Sequence, residues 1–309
     1  MNSRLGWLGA LLAVQLVMVL VALLVPLGRQ DASSQLFLFD SVDIDRLIVS
    51  DATTKIELIR VDNGWFVSGV PAQAQKMADI LGKLSSINEP WPVASSQASA
   101  ERFEVSEENF QRRIRLFRNA DKILDLYLGT SPGYQRVHAR RAGQNEVYSI
   151  PLSNYELGVD PDNWLDKSVL ASSDVPSRIE LRLSSASTDS SGLQGASVET
   201  LSLGENGWLY NDTAADQNAA MTYAKRFTTL QVSGLADPGL ASIERGRIAL
   251  DEGGGGRTLI ISQLSDDGDY LIAATETGPR YRVATYIAEQ LLMADVDLRM
   301  QDNVGDVIQ

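Results

Sequence analysis

The chain of 309 residues contains nearly the same turn sequence twice: Asp-Asn-Gly-Trp at residues 62–65 and Glu-Asn-Gly-Trp at residues 205–208. Alternating apolar residues precede each stretch, and a second apolar run begins at each tryptophan. Because Asn-Gly tolerates the positive φ of a type I′ turn, each stretch predicts a β-hairpin.

A helix is predicted after each tryptophan, with apolar positions at the same distances. These positions lie 15, 19 and 22 residues after Trp65 and after Trp208, and they are Ile80, Leu84, Ile87, Tyr223, Phe227 and Leu230. The shared spacing reproduces one helical face and predicts an internal duplication. The alternative is two unrelated hairpin–helix units that follow the same general rules.

The order of predicted elements gives an α+β fold with two tandem repeats of mainly antiparallel sheet covered by helices, at residues 41–170 and 177–309. Predicted strands of the first repeat are 44–49, 55–61, 65–68, 112–118, 123–129, 134–140 and 146–150. Those of the second are 178–183, 198–203, 208–210, 245–250, 257–263, 270–275 and 280–283. Helices are predicted at 73–87, 151–157, 214–231 and 284–294, and residues 89–99 are predicted to be an exposed loop.

The first 30 residues predict a single transmembrane helix that acts as a signal anchor. Residues 5–27 carry no charge, and 23 residues are enough to cross a hydrocarbon core. A cleaved signal peptide is the rival interpretation, but its apolar region would be shorter. Trp7 lies near the helix entrance. Gln15 is a candidate contact for a neighbouring transmembrane helix; the alternative is a single glutamine tolerated in lipid. These features predict a single-pass protein of the bacterial inner membrane with its large C-terminal region in the periplasm.

Composition excludes several classes of function. A net charge of −13 disfavours nucleic-acid binding, which requires a basic surface. The absence of cysteine excludes disulfides, thiol catalysis and cysteine-ligated metals, and a single histidine excludes a histidine-rich metal site within one chain.

No motif points to catalysis, a cofactor or a metal. The four glycines at 253–256 lack the sequence of a phosphate-binding loop and are expected to connect two strands. The acidic clusters at 40–45 and 266–269 lack the spacing of an EF-hand and are expected to be solvated turns. No GxSxG motif is present, and a paired-carboxylate glycosidase has no motif in its favour.

The most basic part of this acidic chain is predicted on one strand. Its members are Arg136, His138, Arg140 and Arg141. Alternation places Arg136 and His138 on one face of the strand. The group is the candidate contact for an acidic partner or an anionic substrate; the alternative is an edge strand protected by charge.

Three further stretches resemble a bacterial family labelled a domain of unknown function, whose members accompany gliding-motility-type ABC transporters. They are Leu-Gly-Thr-Ser-Pro-Gly-Tyr at 128–134, Val-Tyr-Ser-Ile at 147–150 and Asn-Trp-Leu-Asp-Lys-Ser-Val-Leu at 163–170. The resemblance implies a membrane-anchored partner of an ABC-type permease and ATPase, and it carries no catalytic residue. The second repeat has Ala-Thr-Glu-Thr-Gly at 274–278 in place of the first motif.

Two hypotheses for the function follow. The first is a non-enzymatic, extracytoplasmic accessory subunit of an ABC-type transporter. The second is a stand-alone envelope binding module for glycan, lipid or peptide. An envelope hydrolase is the third class, and it lacks a supporting motif.

Overall fold

The computed structural model describes residues 39–87, 91–184, 198–253, 255–265 and 268–293, together with Gln15 and Leu298. Within these residues, antiparallel strands form two sheets of nine strands each. The fold is mainly β with a few helices, so the predicted α+β class overstates the helical part.

The first sheet has the strand order β4-β3-β2-β1-β6-β7-β8-β9-β5. Its strands are β1 (Arg46–Ser50), β2 (Lys55–Val61), β3 (Gly64–Val67), β4 (Val70–Pro71), β5 (Pro92–Ala94), β6 (Arg112–Arg118), β7 (Asp121–Leu128), β8 (Val137–Arg141) and β9 (Val147–Ile150). Two helices interrupt this series, α1 (Ala74–Ser85) and α2 (Gln97–Arg102).

The second sheet has the strand order β13-β12-β11-β10-β15-β16-β17-β18-β14. Its strands are β10 (Arg178–Leu183), β11 (Val198–Gly204), β12 (Gly207–Tyr210), β13 (Thr213–Ala214), β14 (Gly234–Leu235), β15 (Ser242–Asp251), β16 (Gly256–Leu264), β17 (Tyr270–Ala273) and β18 (Arg280–Val283). Its helices are α3 (Gln217–Thr228) and α4 (Thr285–Leu292).

The two sheets follow the same plan. Adding nine to each strand number of the first order gives the second order, and α1 and α3 both lie between the fourth and fifth strands of their series. The duplicated arrangement of strands and helix predicted from the two tryptophan turns is therefore present.

The tryptophan hairpins bury their rings in the way that the repeat predicts. Trp65 and Trp208 are buried, and their carbonyl oxygens accept hydrogen bonds from the backbone N–H groups of Ala72 and Ala215, at 2.8 and 3.0 Å. Each alanine lies seven residues after its tryptophan and fixes the chain just before the following helix. Of the predicted apolar positions, those on α1 and α3 are buried; they are Ile80, Leu84, Tyr223 and Phe227. Leu230 is buried just past the end of α3, and Ile87 lies past the end of α1 and is half-buried.

The predicted type I′ geometry of the Asn-Gly turns is wrong. The first turn connects Val61 to Gly64, and its positive φ falls on Asp62, not on the Asn-Gly pair. In the second turn the positive φ falls on Gly207, the first residue of β12. The sheet register places each glycine on a strand, so the turn residues lie one position earlier in the sequence than the dipeptide suggests.

The predicted loop at residues 89–99 is also wrong in part. Strand β5 pairs there with β9, and α2 begins after Ser96, whose side chain accepts a hydrogen bond from the Ser99 N–H. Short elements of three to six residues have no clear apolar periodicity, which is why the sequence pattern does not show them.

The predicted transmembrane helix lies outside the described residues, apart from Gln15, which is helical and exposed. Trp7 is likewise outside them. Within the part of the chain that the structure describes, no helix combines the length and apolar character needed to span a bilayer.

By compactness the chain divides into two units. The first falls within Met1–Lys55 and Met77–Leu157, and the second within Ile56–Lys76 and Gly158–Gln309. The domain boundaries at 41–170 and 177–309 follow the two sheets instead, and they stay a prediction.

Candidate functional site

The connection between β7 and β8 is held tightly by its own backbone. Gly129 N–H donates to His138 O at 3.0 Å, and His138 N–H donates to Thr130 O at 2.9 Å. Thr130 N–H donates to Phe103 O at 2.9 Å, which ties the connection to the end of α2. Ser131 Oγ lies 2.7 Å from the carbonyl oxygen of Arg136. The motif at 128–134 therefore forms an ordered loop with defined side-chain positions.

Gly129 is required by this packing. A Cβ atom at this position would lie 1.9 Å from Phe103 O and 2.3 Å from Glu104 O. The backbone of Glu104 has a φ of 56°, a left-handed conformation that residues other than glycine rarely adopt. The close approach explains the glycine of the Leu-Gly-Thr motif by packing, with no ligand involved.

His138 occupies a buried position behind the loop. Its ring stacks on Phe103 with centroids 4.1 Å apart, and Nδ1 lies 2.9 Å from Thr130 Oγ1. Burial lowers the pKa of His138; hydrogen bonding to Thr130 opposes this shift and the charge of Arg102 adds to it. A neutral imidazole that stacks on a ring and bonds to a threonine has the contacts of a structural histidine.

The predicted basic group does not form one exposed patch, because its members point into different surroundings. Arg140 is buried, and it donates to Val105 O at 2.6 Å and Gln144 O at 2.7 Å. Arg136 is exposed and donates to the side chain and carbonyl oxygen of Ser149. Arg141 is half-buried. Strand β8 lies between β7 and β9, so it is not the edge strand of the alternative interpretation.

Three large aromatic side chains around this loop are almost fully exposed. Trp91 is 84% exposed, Tyr134 is 89% exposed and Tyr155 is 95% exposed. Aromatic side chains of this size contribute much of the energy when they are buried in interfaces. We call these three residues the aromatic edge.

The strand register brings the aromatic edge to one end of the first sheet. Pro92 of β5 pairs with Tyr148 of β9, and Val137 of β8 pairs with Ile150 of β9, so Trp91 and the loop before β8 lie at the same end. Asn154, the neighbour of Tyr155, donates to Gly129 O at 2.8 Å at the end of β7. Strands β7, β8, β9 and β5 are consecutive neighbours, so the edge spans about 15 Å at a spacing of about 4.8 Å per strand.

Sequence reasoning singled out the loop motif but missed Trp91 and Tyr155. Trp91 follows a proline and precedes another, in a stretch without apolar periodicity. A large ring in such a stretch has no predicted core to pack against, and this was the signal available in the sequence.

The second unit contains a separate cleft of about 830 Å³. Carboxylates and guanidinium groups both line it, and the charged members are Asp160, Asp162, Asp237, Glu276, Arg280 and Arg282. Asp162 accepts a hydrogen bond from Leu235 N–H at 2.6 Å, and Arg282 lies 3.4 Å from Asp237. Most of these charged groups form hydrogen bonds or ion pairs within the chain. The cleft is therefore polar, but it does not carry a cluster of uncompensated charges of one sign.

The sequence features that raised the question of metal or phosphate binding have structural roles where they are described. Asp40 caps a short 3-10 helix, Asp43 pairs with Arg118 at 3.3 Å and Asp45 accepts from Asn119 N–H at 2.6 Å. Gly253 and Gly255 lie between β15 and β16, as expected, and Gly256 is the first residue of β16. Asp266 and Asp267 lie outside the described residues. Over the described ranges, no three histidine, cysteine or acidic residues are grouped to hold a metal ion.

A model of the family described as "Domain of unknown function (DUF4340)" matches residues 67–246, more than half of the chain. The matched range contains the β7–β8 loop and the stretch at 163–170 that carried the resemblance. Nothing in the match connects the family to a transporter. No curated protein and no solved structure shows a match to the chain.

Proposed function

The chain belongs to the DUF4340 family, and on that premise we propose that it is a non-enzymatic accessory subunit of an ABC-type transporter. In this proposal residues 5–27 anchor it in the bacterial inner membrane and the remainder lies in the periplasm. The observation that carries the proposal is the aromatic edge, because three nearly fully exposed rings at one end of a rigid sheet are suited to contact another protein.

The support for a protein partner is physical. Exposed aromatic rings lose little conformational entropy on binding and bury large areas, so they act as anchors in interfaces. The loop that carries Tyr134 is fixed by hydrogen bonds to Phe103 and His138, so little ordering cost is added on association. A preorganised, apolar surface of this kind favours a stable subunit contact over a transient one.

The support for the transporter comes from the sequence. The resemblance at 128–134, 147–150 and 163–170 implies a permease and an ATPase as partners, and residues 5–27 provide a segment that can pack beside permease helices. The chain has no Walker motif, so ATP hydrolysis belongs to another subunit in this proposal.

The cleft of the second unit favours a second candidate function, a stand-alone envelope binding module. Its mixture of carboxylates and arginines offers hydrogen-bond donors and acceptors to a polar ligand such as a glycan. Extraction in mild detergent separates the two functions, because an accessory subunit is recovered with a permease and an ATPase whereas a binding module is recovered alone.

The aromatic edge is tested by copurification of the tagged chain with these subunits. We expect the triple variant Trp91→Ser, Tyr134→Ser and Tyr155→Ser to reduce their recovery at least tenfold. Tyr286→Ser is the matched control, because Tyr286 is an exposed tyrosine of the second sheet's repeat. Equal recovery with the triple variant and the control would remove the aromatic edge from the interface, and recovery of neither subunit with the wild type would remove the proposed function.

A further inference from the structure

The cleft of about 830 Å³ in the second unit is formed by residues of that unit alone. It is open to solvent, because Asp160, Asp237 and Glu276 in its wall are exposed. Three prolines of the wall restrict the backbone around it; they are Pro161, Pro238 and Pro279. A small ligand can therefore enter the cleft without a large rearrangement of its wall.

A carboxylate and an arginine lie side by side on the outer face of the second sheet. Arg282 of β18 is half-buried, whereas its neighbours Tyr281 and Val283 point into the core. Arg282 pairs with Gly234 of β14, and directly opposed residues point to the same face. A Cβ atom at Gly234 would lie 2.1 Å from Asp162 Oδ2. The Asp162 carboxylate therefore occupies the space of the missing side chain, next to the stem of Arg282.

These opposite charges are neighbours but do not pair with each other. Arg280 lies two residues before Arg282 on β18 and points to the same face. Among the described residues, no ion pair within 4 Å joins Asp162 to either arginine. Arg282 Nη2 instead lies 3.4 Å from the exposed carboxylate of Asp237. Charges of both signs in one open cleft can each bind an oppositely charged group of the same ligand.

The Asp162 carboxylate and the Arg280 guanidinium are each fixed through one atom and leave others available. Asp162 Oδ1 accepts from Leu235 N–H at 2.6 Å, whereas Oδ2 has no donor among the described residues. Arg280 Nη1 donates to Leu240 O at 2.9 Å and to Ser242 Oγ at 3.2 Å. Its Nε and Nη2 atoms have no acceptor in the described part of the chain. Side chains held in this way lose little conformational entropy when a ligand binds.

We propose that this cleft binds a short peptide with free termini, whose ammonium group contacts Asp162 and whose carboxylate contacts Arg280 and Arg282. A guanidinium matches a carboxylate in parallel hydrogen bonds, and an ammonium group donates to carboxylate oxygens. Asp160 lies on the ammonium side, because its side chain accepts from Asp162 N–H at 2.9 Å. The inference names a ligand class for the second candidate function, on which it rests, and it does not depend on a transporter.

The charges and size of the cleft favour such a zwitterion over other ligands. A neutral glycan would displace water from the free carboxylate and guanidinium atoms without supplying charged partners. A polyanion would be repelled by the carboxylates of the cleft and by the net charge of −13. An extended peptide of three residues spans about 10 Å, which lets its two termini reach both charged groups. Its backbone would then contact the apolar part of the wall, which includes Val70 and Leu235.

Isothermal titration calorimetry of the full-length chain in detergent, with trialanine as the ligand, tests the proposal. We expect the wild type to bind trialanine, and to bind N-acetyl-trialanine amide, which lacks both charges, at least about tenfold more weakly. Asp162→Asn, which keeps an oxygen for Leu235 N–H, and Arg280→Gln should each weaken trialanine binding about tenfold. Asp166→Asn is the matched control, because Asp166 accepts a backbone N–H bond from Ser168 at 2.9 Å and lies outside the cleft lining.

Blocking one end of the peptide at a time separates binding from folding. In Asp162→Asn, N-acetylation of trialanine should cost little further affinity while C-terminal amidation still weakens binding, and Arg280→Gln should show the reverse pattern. Variants that weaken all the peptides alike, or an equal loss in Asp166→Asn, would overturn the proposal. So would wild-type protein that prefers maltotriose to trialanine, a result that leaves the binding-module function standing with a different ligand. Wild-type protein that binds neither compound would overturn the inference and remove the support for the second candidate function, whereas the copurification test of the aromatic edge is independent of both.

Discussion

Replacement of Gly129 by alanine is the sharpest test of the β7–β8 loop. The new Cβ would lie 1.9 Å from Phe103 O, whereas ordinary contact begins at 3.4 Å, so the backbone must move by about 1.5 Å. Overpacking of this kind costs about 1–3 kcal/mol. The movement also breaks the Thr130 N–H to Phe103 O hydrogen bond, which adds about 1 kcal/mol. We expect the free energy of unfolding to fall by about 3 kcal/mol.

Urea unfolding of the full-length chain, followed by tryptophan fluorescence, measures this loss. Gly133→Ala is the matched control in the same loop, because a Cβ at Gly133 meets no atom within 4 Å and its φ is not left-handed. The control should change the free energy of unfolding by less than about 0.5 kcal/mol. If Gly129→Ala matched the wild type, or if both variants lost the same stability, the packing described for the loop would be wrong.

Two further predictions concern the cores behind each sheet. His138 is the chain's only histidine, and burial lowers its pKa. Its contribution to the free energy of unfolding should therefore be complete above about pH 6.5 and decline as the pH falls below that value, because the unfolded chain takes up a proton first. His138→Gln should flatten this part of the stability–pH curve, and an unchanged curve would contradict the buried placement. Phe227 is fully buried on α3 and packs edge-on against Tyr223, so Phe227→Ala should cost about 3–5 kcal/mol. Met221→Ala, at an exposed position of the same helix, should cost less than about 0.5 kcal/mol, and equal losses would refute the assigned helix face.

The alternation of apolar and polar residues in the sequence predicts much of the sheet architecture. The strands at 55–61, 112–118, 178–183 and 280–283 have the predicted bounds, because alternation between a buried and an exposed face marks a strand clearly. The equal spacing after Trp65 and Trp208 predicted the duplication for the same reason. Strands of two or three residues, such as β4 and β5, depend on pairing partners distant in sequence, and no local pattern encodes them.

The candidate sites were less predictable, because they depend on what surrounds each side chain. The sequence marked Arg136, His138, Arg140 and Arg141 as one basic group, but packing buries His138 and Arg140 and gives each its own contacts. Conversely, Asp162 and Arg282 lie far apart in the sequence. Only the pairing of β14 with β18 shows that they come together on one face of the second sheet.

Site-specific photo-crosslinking in cells tests most directly whether the aromatic edge is a subunit interface. Tyr155→benzoylphenylalanine places the reactive group on the most exposed ring of the edge, and Tyr286→benzoylphenylalanine is the control at an exposed position on a helix of the other repeat. The account predicts that Tyr155→benzoylphenylalanine crosslinks to a multi-span permease and that Tyr286→benzoylphenylalanine does not. A chain that forms no crosslink at position 155, or the same crosslinks at both positions, would contradict it.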